Sequence, residues 1–399
     1  MNRIKKQVIA AFLLAVLTVA CNNEAERLWK ESSAELEDYR AELNALRAEC
    51  RTKEMPDVPF FLFGMGDRVK MLYKNGRLTV TSSGKTIGEW AVKEELIVPS
   101  LYRVVIRTTD GETVMIEEDE DAVWLTDKHG NRTALDGTTS HLSLPLFADN
   151  KYGRILRTLH QEILINIVEG VPLPNYLVYK KGWRRDGAMV AMCLEKTGNT
   201  ELIRRWVLGF TEPYDRNNAG EEEADNLGQT LYLLSLFTDS SHPAVVKTLE
   251  ETRRFERTSP QGKYICGRSD FHETPAYQTK FLKWGLQKLG LPDEYIIPQI
   301  ADNYSALFWQ DFRDSYMLVA DAADDDYPYL GWAADHFHGT KSSPVSNRDY
   351  PLTWETNASQ ADYEGIRIVD ERYANQRTAA PHTWHDAEIF LYLLDISVN

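Results

Sequence analysis

The chain has 399 residues, 43% hydrophobic and 11% aromatic, enough for two or three domains with a sizeable core. Its 60 acidic residues against 45 basic ones give a formal charge of −15, which disfavours a nucleic-acid partner, since a phosphate backbone needs a basic surface. Most of the 10 Trp and 19 Tyr are expected in the core, but rigid amphipathic rings also suit the apolar faces of sugars.

At the N-terminus, Arg3, Lys5 and Lys6 precede an apolar stretch from Val8 to Ala20. That stretch is shorter than the roughly 20 residues that span a bilayer, so residues 1–20 read as a secretory signal. Leu17-Thr-Val-Ala-Cys21 resembles a bacterial lipobox, which implies lipidation of Cys21 and a membrane partner through that anchor. Asn22 and Asn23 follow it in place of the Asp of an inner-membrane retention signal, so the outer membrane is the expected location. Cys50, Cys193 and Cys266 remain, at spacings that match no zinc site, and at most one intramolecular disulfide can form among them.

Residues 21–55 are expected to be helical, with Trp29, Leu36, Tyr39, Leu43, Leu46 and Cys50 on a short heptad seam. The seam suits either a stalk that oligomerises through residues 24–50 or a helix packed on its own protein. Residues 60–145 read as a small antiparallel β domain. Strands over 69–73, 78–81, 102–106, 113–116 and 122–126 are separated by the turn dipeptides Asn75-Gly76, Asp110-Gly111 and His129-Gly130. The acidic run Glu117 to Asp121 is expected as a solvated turn, with calcium binding the lesser reading.

From 146 to 399 the apolar period is helical. Helices are expected across 152–168, 187–210, 223–237, 244–256, 275–289, 295–312, 327–337 and 384–396, bounded by breakers such as Gly170-Val-Pro172 and Gly290-Leu-Pro292. Antiparallel helix pairs joined by short turns describe a bundle or an α/α toroid. There is no glycine-rich phosphate loop and no nucleophile elbow, and no cofactor is expected.

Four polar clusters are candidates to line a toroid's rim. Trp183-Arg-Arg185-Asp186 sets a donor fork beside a carboxylate, which suits vicinal sugar hydroxyls, although Asp186 also suits an N-cap. Glu221 to Glu223 complement a helix dipole, and Asp225 and Gln229 share one face of the helix that follows. In Asp270-Phe-His-Glu273-Thr274, a carboxylate beside Tyr277, Phe281 and Trp284 could have the raised pKa of a general acid, with helix capping as the plain alternative. The last cluster joins Trp354-Glu355 to His382-Thr-Trp384-His385-Asp386-Ala-Glu388. Its histidines and acids suggest a metal, but their spacing forms no clean helical ligand pair, and no metal is expected.

Taken in order, the Trp-x-Arg-Asp-Gly-Ala segment, the Asp-x-x-x-Gln helix, the acidic–aromatic loop and the closing Pro-x-x-Trp-x-x-Ala-Glu helix resemble the six-hairpin glycosidases, in particular their bacterial glucoamylase-like branch. The resemblance spans about residues 145–399. It implies a glycoside hydrolase with a carbohydrate substrate, sugar binding by Trp183, Arg185 and Asp186, and an acid at Glu273. It places the base at Glu355, makes Glu388 structural, and puts His382 and Trp384 near the pocket. Two rival functions remain. One is a lyase on an acidic polysaccharide, using residues such as His336, His338 and Arg348; the other is a surface lipoprotein that binds glycan without cleaving it.

Overall fold

The computed structural model describes residues 2–50 (side chains from 24 to 48), 59–269, 272–298, 353–358 and 361–396. They fall into two compact units, one built from Met1–Leu43, Val58–Gly64 and Arg68–Leu144, the other from Asn44–Asp57, Met65–Asp67 and Pro145–Asn399.

The first unit pairs helix α1 (Asn2–Cys50) with two antiparallel sheets. One sheet is a meander of β1 (Phe60–Phe63), β2 (Met71–Lys74), β3 (Arg77–Val80) and β4 (Thr86–Glu89). The other is a meander of β5 (Val92–Val98), β6 (Arg103–Thr108), β7 (Thr113–Glu118), β8 (Val123–Thr126) and β9 (Arg132–Ala134). The seam of α1 faces its own sheet: Arg107 of β6 stacks on Trp29 at 4.1 Å, and Ser100 donates to Glu35 at 2.9 Å. Within this unit, Trp29 of the seam thus packs on the protein's own sheet.

The acidic run is not a simple solvated turn. Period-2 alternation along β7 turns Val114, Ile116 and Glu118 inward together. The buried Glu118 carboxylate is met at 3.0 Å by the equally buried Arg68 and at 2.8 Å by the Gly64 amide. Arg68 also donates to the carbonyls of Asp119 and Glu120, both at 2.7 Å, so the turn is organised around a guanidinium.

In the second unit, helices stand at α2 (Gly153–Ile165), α3 (Arg184–Thr197), α4 (Arg204–Leu208), α5 (Asp225–Ser235), α6 (Pro243–Phe255), α7 (Pro275–Lys288), α8 (Glu371–Gln376) and α9 (Thr383–Ile396). Short β pairs connect them: β10–β11 (Ile167–Val168, Val171–Pro172), β12–β13 (Glu256–Ser259, Gly262–Ile265), β14–β15 (Arg268–Ser269, His272–Glu273) and β16–β17 (Glu355–Thr356, Thr378–Ala379). The helix expected over 187–210 is broken at Gly198, whose φ of +78° is a left-handed C-cap. The helix expected over 327–337 and residues 299–312 of that expected over 295–312 lie outside the described residues, as do His336, His338 and Arg348.

Two glycines set how closely α5 and α7 approach. A Cβ on Gly228 would meet the Phe281 carbonyl carbon at 2.3 Å, and one on Gly285 would meet the Leu231 Cβ at 2.6 Å. The helices run parallel there, with their first turns at the same end. α2 runs against α9. Asn150, just ahead of α2, donates to the Leu393 carbonyl late in α9 at 3.3 Å, while Glu162 near the far end of α2 lies beside Asp386 at the start of α9.

Candidate functional site

The first turns of α3, α5 and α7 meet through one polar network. Arg185 donates its Nε to Asp225 Oδ2 at 2.7 Å and its Nη2 to Glu223 at 2.8 Å. Gln229 donates to the same Asp225 oxygen at 2.8 Å and to the Tyr277 hydroxyl at 3.0 Å. Asp225 and Gln229 do share a helix face, as their spacing predicts, but neither has any solvent-accessible surface. The sequence puts all three among the candidates to line a toroid's rim, with Arg185 as a sugar contact. The guanidinium fork that would grip vicinal hydroxyls is engaged by the protein's own carboxylates, and Glu223 is a buried ion-pair partner.

Beside Arg185, the sequence reasoning passed over Arg184. It lies buried, donating to Thr230 at 2.6 Å and stacked on Phe210 at 4.4 Å. Burial lowers its pKa to about 10 and raises the carboxyl of nearby Asp215 above its ordinary range. Asp186 is buried in the first turn of α3, with Trp183 at the N-cap position and Lys181 lying 4.1 Å over the Trp183 ring.

Glu273 sits on β15, paired in register with Arg268 across the hairpin, and is exposed. This corrects the apolar setting expected for it: Tyr277 and Phe281 turn into the α5–α7 contact, away from solvent. Thr274 occupies the N-cap position of α7 without making a capping bond, and Asp270 lies outside the described residues.

The second assembly gathers around the start of α9. Register in β16–β17 sets Glu355 opposite Ala379, three residues before His382. The α9 start is fixed by Thr383, whose amide donates to the Pro174 carbonyl at 2.9 Å, and by Asn175, whose side chain donates to the Pro381 carbonyl at 2.7 Å. One ligand-capable atom from each of Glu355, His382 and His385 then lies within 4.8 Å of the others. The Glu355 carboxylate accepts from His385 Nε2 at 2.9 Å, which makes His385 the Nε2-protonated tautomer when neutral. His382 stacks on His385 with ring centroids 5.0 Å apart, and Tyr179 meets His382 edge-on at 6.0 Å. Burial, joined at His382 by the neighbouring His385, lowers the pKa of each imidazole to about 3. Trp384 is half-buried on the first turn of the same helix.

Beneath these groups lies a carboxyl pair. Thr353 donates to Glu162 at 2.8 Å, and Glu162 meets Asp386. Burial raises both acids. The charge of Glu162 and their shared bond raise Asp386 further, whereas that bond and Thr353 pull Glu162 back. Glu162 and Tyr179 carried no sequence signal, because each belongs to a segment that reads as ordinary helix or loop. Cys193 and Cys266 are both buried.

No family model matches the chain, and no curated protein or solved structure matches it either.

Proposed function

We propose that residues 146–399 form a shortened α/α toroid that hydrolyses a glycosidic bond with inversion, with Glu355 as the base that activates water and Glu273 as the acid that protonates the leaving oxygen. The observation that carries the reading is the Glu355–His385 pair, a half-buried carboxylate fixed at 2.9 Å by a donor on the closing helix. A base needs a fixed orientation and partial access to water, and this pair supplies both. The order of motifs along the chain and the collection of helix first turns at one end also support it. Inversion requires the two carboxyl groups to stand about 6.5–9.5 Å apart with water between them.

The test is release of reducing sugar from a panel of oligo- and polysaccharides by the full chain. Glu355→Gln is expected to lower turnover by about 10²–10⁴-fold while leaving glycan affinity in place. Equal turnover in wild type and Glu355→Gln would remove Glu355 from the role, and the same comparison with Glu273→Gln decides the acid. We also read Cys21 as the lipid anchor. Fatty-acid labelling in cells that is abolished by Cys21→Ser is the expected result.

A further inference from the structure

Glu355, His382 and His385 present a chemistry that the hydrolase reading does not use. Two imidazoles and one carboxylate converge from separate elements, β16 and the start of α9, with donor atoms no more than 4.8 Å apart. Imidazole nitrogen with a single carboxylate selects late first-row ions such as Zn²⁺ over Ca²⁺ or Mg²⁺, which prefer oxygen. His382 adds an independent sign. The residue is 94% buried, and its Nδ1 has no hydrogen-bond partner among the described residues. A buried ring nitrogen left without a partner is costly unless something occupies the space beside it.

We propose that Glu355, His382 and His385 bind one divalent transition-metal ion of the zinc class. Three protein ligands leave a coordination position open, which is the arrangement of an exchangeable or reactive ion and not of a closed structural one. The surroundings hold the ligands in place. The Asn175–Pro381 and Thr383–Pro174 bonds fix the loop that carries His382, and Tyr179 packs against its ring. Because the ion takes the Glu355 carboxylate, metal binding and use of Glu355 as a base exclude one another. Metal binding at this trio does not depend on the hydrolase reading, and its test needs no measurement of activity.

The experiment titrates tag-free, metal-depleted full chain with Zn²⁺ by calorimetry and with Co²⁺ by visible absorption. Expected is one ion per chain bound tighter than about 10 μM. His382→Gln and His385→Gln are each expected to weaken it at least about 100-fold, more than loss of an outer-sphere partner does, with the circular dichroism spectrum unchanged. The Co²⁺ spectrum of the unaltered chain identifies the ligand type without any substitution. Visible bands without thiolate charge transfer support the three named ligands, whereas intense charge transfer assigns the ion to Cys193 or Cys266 and overturns the proposal. Binding weaker than about 10 μM, or binding unchanged in both folded histidine variants, also overturns it. The hydrolase reading survives either of those results, since a metal-free chain that releases sugar through Glu355 satisfies it.

Discussion

Two polar clusters at helix starts in the second unit differ in how their charges are met. Around Arg185 the cation is answered by two carboxylates, and the shared acceptor is tied again by Gln229. Around Glu355 two neutral imidazoles face one carboxylate, with a ring nitrogen of His382 left over. The first arrangement is closed in charge, a cation against carboxylates, and ties three helices together, while one Asp225 oxygen is buried without a partner among the described residues. The second is open in charge, one carboxylate facing two neutral rings, and leaves the His382 Nδ1 without a partner among the described residues. Burial alone does not mark a site, since both clusters are buried. The difference is whether the charges answer one another: a cation meets carboxylates in one, and neutral rings face a lone carboxylate in the other.

The largest expected effect falls on the closed cluster. Arg185→Ala leaves Glu223 and Asp225 buried without their cation and should cost about 3–5 kcal/mol in urea denaturation. A cost under about 1 kcal/mol would show that water reaches these carboxylates and that the cluster is open after all.

Gly228→Ala comes next. The added methyl meets the α7 backbone at 2.3 Å, so overpacking of about 1–3 kcal/mol is expected from the same denaturation measurement.

His160 gives a baseline for a buried imidazole with no proposed ligand role. It sits between Phe147 and Phe390, and burial lowers it from 6.5 to about 3. The folded chain therefore keeps this ring neutral while the unfolded chain protonates it below pH 6.5. Its contribution is fully present above that pH and is lost toward pH 3, at about 1 kcal/mol per pH unit. His160→Phe should remove that part of the slope, measured as stability at pH 7, 6 and 5; an unchanged slope would mean that the ring is hydrated.

The smallest expected change is in the stability of Glu355→Gln. An open cluster loses little when its one charge is neutralised, so the metal-free protein should shift by less than about 1 kcal/mol. A loss comparable with that of Arg185→Ala would place Glu355 in the framework and erase the contrast between the two clusters.

Helix positions in the second unit were legible because their apolar faces repeat over three or more turns: α2, α5, α6, α7 and α9 stand within a few residues of the expected ranges. In the β unit, hairpins with Asn-Gly and Asp-Gly turns could be read, whereas β1 could not. Phe60–Phe63 is buried on both faces and shows no alternation. The sites were legible only as residue types. Asp225 and Gln229 share a face as their spacing requires, but spacing says nothing of Arg185 reaching across from α3 to close the set. The convergence of Glu355, His382 and His385 was not legible for a similar reason. His382 and His385 are no ligand pair within a helix, and the third donor, 27 residues before His382, arrives through strand pairing. The exposure of Glu273 was not legible, because its aromatic neighbours in sequence turn into the α5–α7 contact.

The close approach of α5 and α7 has a consequence for how this region can vary. Gly228 and Gly285 let the two backbones touch, and that spacing brings the Tyr277 hydroxyl within reach of Gln229. The glycines thus act as a spacer of fixed thickness for a polar lattice one turn away. A side chain gained at either position would be felt first as a stretched bond between those two partners, before any apolar contact was lost.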